Sequence, residues 1–217
     1  MGRRGIGKSS LLKRIRFGNE YPYKYKIVIK KNEIFKFLIN SETSCIIEDY
    51  KENCEKFFWI SIFRHLSNIP ELKKVNKFLI DSNLEKGKNI RRAIEEFAQS
   101  NTQSKKLVST SIGSVINWFM DITRASFEDA REEVESFLRN QQVVILIDNL
   151  EDYPLTQQAY RLALDSVISV AVDFRGDHNN ITVKCFIPSE IFRFVEKEVI
   201  SNWGKVSDSI IHLHWKD

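Results

Sequence analysis

Gly2-Arg3-Arg4-Gly5-Ile6-Gly7-Lys8-Ser9 stands at the amino end of the chain. These residues fit G-x-x-x-x-G-K-[ST], a spacing in which each residue type has a physical task. Glycines let backbone N–H groups turn inward around phosphate oxygens. The Lys8 ammonium reaches the β and γ oxygens, and the Ser9 hydroxyl joins a Mg²⁺. Behind the loop, Leu11, Leu12 and Ile15 recur on one side of a helix predicted over 8–17, with Gly18 as its stop. The start of such a helix turns its positive dipole end toward the same anions. A nucleoside triphosphate is therefore expected, held by Gly2, Arg3, Arg4, Gly5, Ile6, Gly7, Lys8, Ser9 and Ser10.

A loop of this kind follows a buried parallel strand, and here only Met1 precedes it. The expectation is a fragment of a larger protein, its first core strand upstream of Met1 and further domains after Asp217. Downstream, a β-branched stretch predicts a strand over 25–30. Helical spacing follows over 48–66, 71–80 and 88–97. Periodicity does not decide 105–124, which mixes β-branched residues and Gly113 with Trp118, Phe119 and Met120. Ser126-Phe127-Glu128-Asp129 has the S-x-x-[DE] form of a helix start, and Val134, Phe137 and Leu138 continue that helix to about Asn140. Together these form a helical insertion over about 48–140.

Val143-Val144-Ile145-Leu146-Ile147-Asp148 is an unbroken apolar run ending in an acid, the signature of a strand buried on both faces of a parallel sheet. After it the pattern predicts a helix over 155–172, a polar loop over 173–180, a strand over 181–187, a helix over 189–200 and a short strand over 210–213. The fold class expected is α/β: one domain over 1–217, a parallel β-sheet flanked by helices with an inserted helical region. Such sheets place ligands at the carboxyl ends of their strands, so Asp148 would stand beside the phosphates and hold Mg²⁺, directly or through water.

The bulk composition narrows the classes. Of 217 residues, 42% are hydrophobic, enough for a substantial core. Thirty-three Lys and Arg against twenty-nine Asp and Glu leave +4, which permits nucleic-acid binding without indicating it and gives a DNA-translocating motor no support. Cys45, Cys54 and Cys185 are odd in number and contain no C-x-x-C pair, so neither a disulfide framework nor a zinc pattern is present, and a cytoplasmic setting is expected. The longest apolar run, 143–147, is far short of the ~20 residues of a spanning helix, and no signal core is seen, so no membrane role is expected.

MGRRGIGKSSLLKRI, VVILIDNLEDYP and ITVKCFIPSEIF, in that order, resemble the nucleotide-binding core of the STAND and KAP-like P-loop ATPases of the wider AAA+ related group. The first two stretches correspond to the Walker A and Walker B motifs. The resemblance implies ATP as ligand, Mg²⁺ as cofactor, a polar sensor on the third strand and ATP-driven switching or assembly, often in defence or stress signalling. Gly7, Lys8 and Ser9 match the phosphate and metal positions, Ser9 and Asp148 being the metal ligands.

Asn149 departs from the pattern, because these families often carry there a second acid that polarises the attacking water. An amide cannot take a proton at neutral pH, which excludes Asn149 as general base. Asp148-Asn149-Leu150-Glu151-Asp152 resembles the D-D-L-D pattern of the KAP-like group, and Glu151 ranks ahead of Asp152 as the water-positioning residue. The catalytic set expected is Lys8, Asp148 and Glu151. Ser189 is a candidate sensor or merely a helix cap, and Arg193 a candidate charge donor or a surface residue. His212 and His214 alternate on one strand face but have no third ligand nearby. The tryptophans read as core or interface residues. Two functions follow: a Mg²⁺-dependent ATPase, or a nucleotide-sensing module with little hydrolysis that controls oligomerisation or an attached effector. A small-molecule kinase would need an arginine-rich lid, and none follows Asp148.

Overall fold

The computed structural model describes residues 8–29, 31–39, 47–85, 89–100, 112–148, 150 and 154–211. Its centre is a parallel sheet of β1 (Tyr23–Ile29), β2 (Gln142–Ile147) and β3 (Ile181–Cys185), in the order β1-β2-β3. Ile27 pairs with Ile145 and Val28 with Leu146, while Ile147 pairs with Cys185. Because side chains alternate across a strand, the run 143–147 must satisfy two faces at once. Val143, Ile145 and Ile147 join Ile27, Ile29 and Ile181 in the large core. Val144 and Leu146 turn the other way and meet Leu12, Ile15 and Phe186. All five residues are fully buried, which is why the run carries no polar alternation.

Leu12 and Ile15 belong to α1 (Lys8–Phe17), the helix on that second face. Gly18 ends it as expected: its N–H donates to the Arg14 carbonyl at 2.7 Å, and a Cβ at Gly18 would collide with that same oxygen. Between β1 and β2 the chain passes through α2 (Lys31–Leu38), α3 (Ile47–Leu66), α4 (Lys73–Asp81), α5 (Ile90–Ser100) and α6 (Ile112–Phe137). Parallel neighbours require such a crossover. α2 was not visible in the sequence pattern, yet Ile34, Phe35, Phe37 and Leu38 all bury in the large core.

The helix start expected at Ser126 is corrected. α6 runs through it for 26 residues, and the Ser126 hydroxyl donates back to the Thr123 carbonyl at 2.9 Å within the helix. Val115, Ile116, Phe119, Phe127, Ala130 and Val134 keep one helical period across the site, so burial of that face outweighs both the cap-like motif and the β-branched residues.

α7 (Gln158–Asp177) starts later than expected and takes in most of the expected loop. Phe174 extends it by packing against Phe58 and Trp59 at ring separations of 5.7 and 5.4 Å. β3 ends at Cys185, two residues early. The next helix divides into α8 (Ser189–Phe194) and a π-helical turn (Val195–Val199), after which α9 (Trp203–Ser207) was not foreseen. Of the strand expected over 210–213, Ile210 and Ile211 are not strand, and the remainder lies outside the described residues. Trp59 is buried, and Trp118 and Trp203 pack against the large core. No helix among the described residues is long and apolar enough to cross a membrane.

Candidate functional site at the carboxyl edge of the sheet

Asp148 follows the last residue of β2 and is half-buried at the carboxyl end of the sheet. α1 leaves its last residue, Phe17, through the short turn 18–22 into Tyr23, the first residue of β1. Tyr21 and Tyr23 pack on the small cluster formed with Leu12 and Ile15. The carboxyl end of α1 therefore lies near the amino edge of the sheet, and Leu12 and Ile15 pack with Val144, Leu146 and Phe186 on one face of it. Free N–H groups at a helix start and a carboxylate at a strand end form an arrangement suited to an anion with its counter-cation.

The rest of the expected set divides. Gly2, Arg3, Arg4, Gly5, Ile6 and Gly7, together with Asn149, Glu151, Asp152, His212 and His214, lie outside the described residues. Leu150 is fully buried, which anchors the chain immediately after Asp148. Ser189 is the first residue of α8, and the cap position belongs to Pro188, whose extended backbone (φ −64, ψ 147) leads into the helix. Arg193 is exposed on α8. Cys45 lies outside the described residues, and Cys54 and Cys185 are free thiols.

Cys185 escaped the functional reading of the sequence, although its register with Ile147 puts it one position from Asp148. Only its place at a strand end could have flagged it. Its surface is half-buried, but the packed surroundings push the thiol up to about 12, and burial holds Cys54 well above its ordinary range, with smaller contributions from Cys185 and Glu55. Neither sulfur is a thiolate at neutral pH, which removes both as nucleophiles.

No family model, curated protein or solved structure matches this chain. The chemistry of the residues themselves must carry the function.

Among the described residues no group of three or more His, Cys, Asp and Glu could hold a metal by itself. A Mg²⁺ bound mainly by phosphates and water, with one carboxylate and one hydroxyl, needs no such group. Asp148 at the sheet edge fits that donor set. Elsewhere, Glu71, Lys74, Glu132, Glu133 and Phe137 line an open groove of about 410 Å³ between α4 and α6. Two of its charges have structural partners: Glu133 accepts the Val75 backbone N–H at 3.0 Å, and Lys74 pairs with Asp129 at 3.1 Å.

Proposed function

We propose that the chain is a Mg²⁺-dependent ATP-binding domain of the STAND or KAP-like kind that hydrolyses the β–γ phosphoanhydride. What supports this reading is that the glycine-lysine-serine spacing directly precedes α1 in the sequence, and that α1 packs through Leu12 and Ile15 on the sheet whose strand β2 is followed by Asp148.

In this reading the loop N–H groups and Lys8 hold the phosphates, and Lys8 offsets charge that builds on the γ-phosphoryl oxygens. Ser9 and Asp148 are the Mg²⁺ ligands, and the metal supplies charge neutralisation across the β and γ oxygens. Glu151 orients the attacking water, a role that the amide of Asn149 cannot fill. The free thiols of Cys54 and Cys185 suit a reducing compartment. Lys8→Ala is expected to weaken ATP binding strongly in a fluorescent-nucleotide titration, and unchanged affinity would refute the assignment.

Asn149 itself favours a second reading, a nucleotide sensor whose occupancy controls assembly or an attached effector while hydrolysis stays slow. Phosphate release separates the two. Turnover abolished by Glu151→Gln supports the ATPase; tight ATP or ADP binding without turnover supports the sensor.

A further inference from the structure

The charges of the chain are unevenly divided. Residues 1–31 contain ten of the 33 Lys and Arg and one acid, Glu20, whereas residues 32–217 contain 23 basic and 28 acidic side chains. The modest net charge thus averages a strongly basic amino end with an acidic remainder. α1 and β1 fold much of that segment into one corner, where the Lys26 ammonium donates to the Gly18 carbonyl. Arg14 takes the only local acid, its Nε and Nη2 donating to Glu20 at 3.0 and 2.6 Å.

Lys13, Arg16 and Lys24 are left exposed, and none of the carboxylates among the described residues pairs with them. Lys13 and Arg16 stand three residues apart on one helix, a spacing at which like charges repel. The dipole of α1 rewards a cation in its last turn but does nothing for Lys24 on the strand. Phe17 is 70% exposed, with the Arg16 guanidinium 4.9 Å from its ring centroid. The apolar side of α1, Leu12 and Ile15, is spent on the sheet, so no amphipathic face is left to enter a bilayer. Arg16 and Lys24, 5.5 Å from the Tyr25 ring centroid, lie over rings but like Lys13 have no carboxylate partner among the described residues, and such cations with a presented ring are the elements of a single-strand platform: phosphates follow the charges, and an unpaired base stacks on the aromatic face.

We propose that the α1–β1 corner binds single-stranded nucleic acid, with backbone phosphates on Lys13, Arg16 and Lys24 and a base stacked on Phe17. The corner lies at the amino edge of the sheet, opposite Asp148, so this ligand and a nucleotide at the carboxyl edge do not compete. Fluorescence anisotropy with labelled dT20 and the full chain tests it. Three phosphate contacts predict a log–log salt slope of about −2, hence about a 20-fold loss of affinity between 50 and 200 mM NaCl. Gln at Lys13, Arg16 or Lys24 lowers the slope by about 0.7 each. Phe17→Ala weakens binding about tenfold and leaves the slope unchanged. All four side chains are exposed, so the variants keep the fold, which circular dichroism verifies. Absence of binding at 50 mM NaCl overturns the proposal, as does a slope unmoved in the triple variant. Equal affinity for a blunt duplex of the same length, or capture by phosphatidylserine vesicles with dT20 unable to compete, overturns it too.

Discussion

The Asp165 carboxylate, 2% exposed on α7, accepts the Ser201 backbone N–H at 3.2 Å and the Ser169 hydroxyl at 3.3 Å through the same oxygen. One buried acid thereby fixes the segment that links the π-helical turn to α9, while Lys205 of α9 pairs with Asp173 further along α7. Polar atoms carried into a core need partners, and here the strand-poor carboxyl end of the fold is tied by them.

Asp165→Ala is expected to cost about 1–3 kcal/mol, because it removes the acceptor shared by the buried Ser169 hydroxyl and the Ser201 N–H. Asp165→Asn keeps an oxygen acceptor, removes a buried charge and should cost less than half as much. Urea unfolding of both variants measures the difference, and an Asn variant as unstable as the Ala variant would show that the charge, not the hydrogen bond, holds the segment.

Trp59 gives a second packing test. It lies fully buried on α3, its ring 5.9 Å from Phe63, 5.4 Å from Phe174 and 5.1 Å from His178, with the Arg131 guanidinium 5.6 Å away. Among the described residues its indole N–H has no hydrogen-bond partner. Trp59→Ala should cost about 3–5 kcal/mol, the usual range for emptying such a site. Trp59→Phe leaves a smaller void and deletes the orphaned donor, so a cost under about 2 kcal/mol is expected. Thermal unfolding of the pair tests whether the two effects offset each other.

The sheet was the most legible part of the chain, since a run such as 143–147 has one stable home, covered on both faces. Phe35 and Phe37 bury in a helix of only eight residues, too short to declare a period. Ser126 sits in a local capping pattern, but the apolar period that runs past it, from Phe119 to Phe127 and Val134, decides the helix. The candidate site was legible as chemistry more than as geometry: Lys8 and Asp148 could be named from residue types and spacing, whereas the packing of α1 on the sheet through Leu12 and Ile15 depends on the turn at Gly18. The basic corner was written in the composition and hidden by summing charge over the whole chain.

The two free thiols, Cys54 buried and Cys185 half-buried, set an alkaline limit. Each is held above the unfolded value of about 9.0, Cys185 to about 12, so the folded state retains protons that the unfolded chain has released. Below pH 9 both states carry the protons and stability is unaffected; from pH 9 upward the unfolded state gains. Unfolding midpoints should therefore fall between pH 9 and 11, and Cys185→Ala should lessen the fall. Thiol titration of the native protein at pH 8 should be slow and become fast on adding denaturant. Rapid labelling of Cys54 at pH 8 would contradict its burial.

Asp148 offers the sharpest test of the carboxyl-edge site, because β2 cannot shift to accommodate its loss: Val143 to Ile147 are fully buried before it and Leu150 after it. Asp148→Asn therefore changes charge with little change of shape. If the carboxylate serves the metal, ATP affinity in Mg²⁺ should drop by about 10- to 100-fold, while affinity in EDTA, where the phosphates meet only the loop and Lys8, should match the unsubstituted protein. Lys8→Ala should behave oppositely and weaken binding under both conditions, since its charge acts on phosphate without the cation. Isothermal titration calorimetry of the three proteins with and without Mg²⁺ resolves the contributions. An Asp148→Asn variant that loses equal affinity in EDTA would mean that the acid shapes the loop, and its place as a metal ligand would have to be given up.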